Sequence, residues 1–166
     1  MVLSVFVISC GKTGGKTEVG KGKKIAVNLQ SEPKSLDPQL ATDASGITID
    51  SLLYEGLTRL DKEGKVVPAA AEKWEVSEDG LKWTFHLRKG MKWANGDSLT
   101  AKDFAFGWFR ALDPKTASEY AYELYYIKGA EEYNEGKGKK EDVAIKVIDD
   151  NTFEITLNKP TPYLVS

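Results

Sequence analysis

The chain has 166 residues, 41% of them hydrophobic, with 23 Lys and Arg against 25 Asp and Glu, one His and one Cys. That balance is too apolar and too neutral for a disordered chain, and it gives no basic footprint for nucleic acid. One Cys and one His leave no internal disulfide and no Cys- or His-rich metal site, and no apolar run reaches the ~18 residues of a membrane-spanning helix.

Residues 1–8 (MVLSVFVI) are almost all apolar and run into Ser9, Cys10 and Gly11. A short hydrophobic run ending in small residues is how a secretory leader ends. A Cys at that point resembles a bacterial lipobox, in which the Cys is lipidated and becomes the first residue of the mature protein. The run has no positively charged start and is short for a leader; the other reading is a buried strand with an inert Cys. Residues 11–24 (GKTGGKTEVGKGKK) are mostly Gly and Lys, with nothing to bury, which is the composition of a flexible tether. Its Lys residues suit anionic lipid heads weakly.

From residue 25 the pattern changes. Ile25, Val27 and Leu29 alternate with polar or small residues, which predicts a strand. Leu36-Asp37-Pro38 is a turn. Ile49, Leu52, Leu53, Leu57 and Leu60 fall at helical spacing and predict a helix over 47–60, closed by the turn Asp61-Lys62-Glu63-Gly64. Residues 66–93 read as β-structure. The clearest element is 81–88 (LKWTFHLR), whose odd positions are large and apolar and whose even positions are polar. This is a half-buried antiparallel strand. Glu78-Asp79-Gly80 is its hairpin turn and Trp74-Glu75-Val76 its partner.

Thr100 and Asp103 have the spacing of a capping box, with the Thr100 hydroxyl expected to accept from the Asp103 N–H and the Asp103 carboxylate expected to reach back. A helix follows through Phe104, Trp108, Phe109 and Leu112, stopped by Asp113-Pro114. A second helix is predicted over 119–133, rich in Tyr. After the charged loop 136–140, Val143, Ile145 and Val147 alternate, Asp149-Asp150-Asn151 turns, and Phe153, Ile155 and Leu157 alternate again, which predicts a second hairpin. The fold class is α/β or α+β, with a largely antiparallel sheet and interspersed helices.

No catalytic constellation emerges. His86 sits on the polar face of a regular strand, and Cys10 lies far from any base. There is no nucleophile elbow or phosphate loop. Asp37, Asp50, Asp79 and Asp103 all have turn or cap explanations. Asp149-Asp150-Asn151 lacks the spaced Gly and Glu of a calcium loop. The four Trp (74, 83, 93 and 108) fit core faces. An enzyme is not expected, and neither a cofactor nor a metal.

Two stretches are more specific. Ser35-Leu36-Asp37-Pro38 precedes Leu53-Tyr54-Glu55-Gly56-Leu57, and residues 68–110 carry Ala71, Trp74, Asp79, Gly80, Thr84, Phe85, Leu87, Arg88, Gly90, Lys92, Trp93, Gly96, Thr100, Ala101, Asp103 and Phe104 in one run. Together they resemble the extracytoplasmic solute-binding proteins of peptide-type ABC transporters, most closely the oligopeptide-binding branch. The likeness extends over about residues 25–166, through 113–118 and 149–154.

That resemblance implies the N-terminal part of a two-lobed type II periplasmic-binding-protein fold that closes on a peptide by hinge motion. It implies a leader at 1–10, a tether at 11–24, the start of lobe I at 25–54, a small α+β domain at 55–160, and chain re-entering lobe I at 161–166. The apolar end Pro162-Tyr163-Leu164-Val165-Ser166 is then expected to be a truncation, with apolar surface exposed at 25–29 and 163–165. By resemblance the ligand-facing positions are Thr42, Asp43 and Ala44, offering backbone groups, and Tyr120, offering its hydroxyl. The oligopeptide branch commonly has an acidic residue at the first of these positions; here it is Thr42, with Asp43 next. Tyr120 serves equally well as a packing residue in a Tyr-rich helix. The implied partners are an oligopeptide, ABC permease subunits and, through Cys10, the outer face of the cytoplasmic membrane. No nucleic acid is expected, and the protein is expected to be an extracytoplasmic monomer. A nickel-complex, haem or signalling-peptide receptor, or an adhesin, on the same scaffold is the alternative.

Overall fold

The computed structural model of the chain describes residues 26–165. The leader, Cys10 and the tether therefore lie outside the described residues, as does Ile25.

The alternation at 81–88 dictates the centre of the fold. Trp83, Phe85 and Leu87 of β4 (Lys82–Leu87) are buried on one face while Lys82 stays exposed and Thr84 and His86 are half-buried. β3 (Ala71–Val76) pairs with β4 through the turn at Gly80, where φ is 72° and the Gly80 N–H donates to the Ser77 carbonyl at 2.8 Å. β5 (Ile145–Asp149) and β6 (Thr152–Thr156) form the second hairpin, and β6 pairs with β4, Phe153 opposite Phe85 and Ile155 opposite Trp83. The result is a four-stranded antiparallel sheet ordered β3-β4-β6-β5.

α2 (Ala101–Leu112) covers one face of this sheet. Ala101, Ala105 and Leu112 are buried, and Phe104 and Trp108 pack on the Phe153 ring at 6.1 and 5.6 Å. The helix starts where expected, with Thr100 and Asp103 forming the capping box. The Asp103 carboxylate accepts from both the Thr100 N–H (2.7 Å) and the Thr100 hydroxyl (2.9 Å), while the Asp103 N–H donates to the Thr100 carbonyl. A carboxylate in the first turn also suits the helix dipole.

Four expectations need correction. Residues 26–29 form no strand, because no described strand pairs with them and a strand is defined by its ladder. The helix expected at 47–60 is instead α1 (Ala44–Leu53), begun earlier by the Asp43 N-cap. Thr58, Arg59 and Leu60 form β1 (Thr58–Leu60), paired antiparallel with β2 (Val66–Pro68) around the 61–64 turn. The helix expected at 119–133 is broken into a 3₁₀ turn at Ala121–Leu124 and a short α3 (Ala130–Asn134). Between them Ile127 bridges Leu157, the Lys128 N–H donates to the Thr156 carbonyl, and the Lys128 carbonyl accepts from the Ala144 N–H. Those bonds to the sheet require extended chain, and they outweigh the local helical pattern. Finally, Trp93 is not a core residue; it is 41% exposed.

Of the apolar surface expected near the two ends, Val27 and Tyr163 are 46% and 56% exposed, while Leu29, Leu164 and Val165 are half-buried. α1 also turns Ile47, Leu52 and Leu53 outward. No helix among the described residues is long and apolar enough to cross a membrane.

Candidate functional site

Local hydrogen bonding shapes the loop before α1. The Asp37 carbonyl accepts from the N–H groups of Leu40 (2.8 Å) and Ala41 (2.9 Å), a turn with Pro38 at its second position, where a fixed φ is favourable. The Asp37 side chain accepts from the Gln39 N–H at 3.1 Å, and the Asp37 N–H donates to Ser35 Oγ at 3.1 Å. Ala41 is buried. Asp43 then caps α1: its carboxylate accepts from the Gly46 N–H and from the Lys34 N–H, each at 3.0 Å. Those backbone donors, Lys34 foremost, hold the Asp43 carboxyl below the usual carboxylate range. Gly46 has to be Gly, since a Cβ there would lie 2.9 Å from the Ser35 carbonyl oxygen.

Thr42, Asp43 and Ala44 thus stand together where the loop becomes a helix. Thr42 and Asp43 are half-buried and Ala44 is exposed. The Asp43 carboxylate is occupied by capping, the Asp43 carbonyl accepts from the Ile47 N–H and the Ala44 carbonyl accepts from the Thr48 hydroxyl. The Thr42 N–H and C=O make no backbone hydrogen bond among the described residues. Tyr120 is elsewhere. It is 44% exposed in the turn before the 3₁₀ segment, with its ring 6.0 Å from Tyr122. No described hydrogen bond or ring contact joins it to Thr42–Ala44. Cys10, the expected lipidation site, lies outside the described residues.

The structure adds Gln39, Phe106, Gly107 and Arg110, which sequence reasoning does not single out. α2 has a second face, opposite the one on the sheet: Asp103, Phe106, Gly107 and Arg110, spaced i, i+3, i+4, i+7. With Leu36, Asp37, Pro38, Gln39, Tyr54 and Trp93 it lines an open cleft of about 600 Å³. Within this lining the Arg110 guanidinium makes a forked pair with the Asp37 carboxylate, Nη1 to Oδ1 at 2.6 Å and Nη2 to Oδ2 at 2.5 Å. Nη1 also donates to the Gln39 side-chain oxygen. Arg110 holds the Asp37 carboxyl below its usual range, and Asp37 raises Arg110 in return. Arg110 sits in the last turn of α2, where a cation complements the dipole.

His86 is half-buried on β4 with Nε2 3.2 Å from Glu75 Oε1 across the β3–β4 ladder, a cross-strand pair and not a base poised beside a nucleophile. Among the described residues no cluster of His, Cys, Asp or Glu is placed to hold a metal ion.

The model of the bacterial extracellular solute-binding proteins, family 5, middle region, matches residues 65–166. The chain is 45% identical to the oligopeptide-binding protein OppA of Bacillus subtilis, over 98% of this chain and 31% of that protein. Among solved structures it is similar to the substrate-binding domain of an oligopeptide ABC transporter from Bacillus anthracis, with TM-score 0.76, 51% identity, and 78% of this chain and 25% of that one covered. It is also similar to Haemophilus influenzae OppA in complex with RPPGFSPFR, with TM-score 0.78, 42% identity, and 81% and 27% covered. The chain spans about a third of the length of the curated relative, 31%.

Proposed function

The chain belongs to the bacterial extracellular solute-binding proteins of family 5, and from that membership we propose that it forms the first part of an extracytoplasmic receptor that binds oligopeptides and passes them to the permease of an ABC importer. Its antiparallel α+β fold is shared with relatives of the type II periplasmic-binding class. The observation that carries the ligand class is the likeness to peptide-binding proteins, one of them solved with a peptide bound. A metal-complex, haem or adhesin role draws no comparable support.

Binding in this reading is physical and not chemical. Thr42, Asp43 and Ala44 offer main-chain groups to an extended peptide, and Tyr120 offers its hydroxyl from the small domain. Main-chain pairing is indifferent to the ligand's side chains, as when a strand is added to a sheet edge, and waters fill roomy side-chain pockets at little cost. Lobe closure around the peptide by hinge motion then produces the form the permease reads. The leader occupies 1–10, the tether 11–24, the start of lobe I 25–54, the small domain 55–160 and the return into lobe I 161–166. The receptor works as a monomer, held at the membrane through lipidated Cys10. The outward apolar side chains of α1, Ile47, Leu52 and Leu53, suit a lobe completed by further chain of the relatives' length.

Calorimetry of the complete gene product against a mixed pool of tri- to pentapeptides is expected to show saturable heat; no heat with any peptide overturns the reading. Separately, Cys10→Ser is expected to release the protein from membranes, because stable anchoring depends on acyl chains. Unchanged membrane partitioning of that variant refutes lipidation and leaves peptide binding untouched.

A further inference from the structure

We infer that Arg110 is a positioning residue for the ligand loop: its fork onto Asp37 fixes the turn that leads into Thr42–Ala44 before any peptide arrives. The inference rests on the peptide-receptor reading and adds to it the residue that holds the loop.

Three observations converge. Arg110 is carried by a rigid element, since the opposite face of α2 is packed into the sheet core through Ala101, Ala105 and Leu112. Its target is the residue around which the loop is built. Asp37 binds Arg110 with its carboxylate, the Gln39 N–H with the same carboxylate, and the Leu40 and Ala41 N–H groups with its carbonyl. The contact spans 73 residues of sequence, so it joins two parts of the chain that no local force holds together. α1 contributes little to holding the loop, because its Ile47, Leu52 and Leu53 are 49%, 60% and 63% exposed.

The Arg110 and Asp37 side chains are 33% and 31% exposed, so solvent screens part of their charge attraction. What a planar fork adds is orientation: two parallel N–H···O bonds fix direction as well as distance, and a Lys ammonium supplies only the charge. A loop fixed in its binding shape spares the ligand the entropy of ordering it.

The test uses Arg110→Lys in the complete gene product, with trialanine as the peptide and amide hydrogen exchange as the second readout. The expected result is affinity weaker by about tenfold, ~1.4 kcal/mol at 25 °C, with faster exchange confined to residues 40–44 and with melting temperature and β6 exchange unchanged. Unchanged affinity in the variant beside a wild type that binds overturns the inference alone. So does a fall in melting temperature with faster exchange throughout the sheet, which marks Arg110 as merely structural. A wild type that binds neither trialanine nor any other peptide of the pool overturns the receptor reading, and this inference with it.

Discussion

Phe153→Ala is expected to lower the unfolding free energy of the chain by about 3–5 kcal/mol, the range for a buried aromatic truncated in a core that cannot collapse. Phe153 has no exposed surface, and it sits between the four-stranded sheet and α2. Its ring stacks on Phe85 at 5.2 Å across the β4–β6 ladder and on Phe104 at 6.1 Å from α2, and it meets Trp108 edge-on at 5.6 Å. Removing it takes a partner from three aromatic pairs, each worth about 0.5–1.5 kcal/mol beyond area burial, and leaves a cavity between sheet and helix. Native domains are stable by only about 5–15 kcal/mol, so the variant should unfold at a much lower urea concentration. Trp83 and Trp108 lie close enough for their fluorescence to report the transition. Ile148→Ala, at a 49% exposed position on β5, is the control and should change stability by about 0.5 kcal/mol or less. Equal effects of the two substitutions would mean that the aromatic cluster does not organise the fold.

The parts of the fold that are legible in the sequence are those whose cause is local. The period-two pattern of 81–88 and 153–157 places Phe85, Phe153 and Ile155 on one buried face, and the Glu78-Asp79-Gly80 turn fixes the β3–β4 hairpin. Where a non-local bond decides, periodicity misleads. Ile25, Val27 and Leu29 have the alternation of a strand, but no described strand pairs with residues 26–29. Tyr-rich residues 119–133 have a helical pattern, but Ile127 and Lys128 are taken by the sheet. Leu57 and Leu60 continue the spacing of α1, but Leu60 pairs with Val66.

The candidate site divides the same way. Asp43 as N-cap has its cause within a few residues. Asp37 is fully explained as a turn residue, and that local explanation hides its bond to Arg110. Residue type alone assigns Trp93 to the core, yet it lines the cleft between α2 and the Asp37 loop. Satisfying a local rule does not exhaust what a side chain does.

Gly129→Ala carries the second large effect, and here the cause is backbone against backbone. Gly129 precedes α3 with φ at 79°, a left-handed conformation that costs an L-residue about 1–2 kcal/mol. It is also crowded. A Cβ would lie 2.4 Å from the Asp142 carbonyl oxygen and 2.9 Å from its carbon. That peptide leads into Val143 and Ala144, and the Ala144 N–H is held by Lys128, so it cannot retreat without loosening the edge of the sheet. Overpacking of this kind adds about 1–3 kcal/mol, giving a total of about 2–5 kcal/mol. Gly64→Ala separates the two contributions. Gly64 has φ at 76° and nothing within 4 Å of its Cβ position, so Ala there pays only the conformational part. Urea unfolding of both variants should therefore show Gly129→Ala the more destabilised by about 1–3 kcal/mol. A difference indistinguishable from zero would show that the close approach of residues 129 and 142 is not a fixed contact. The bonds of Ile127 and Lys128 to the sheet would then be left as the sole cause of the break between the two short helical segments.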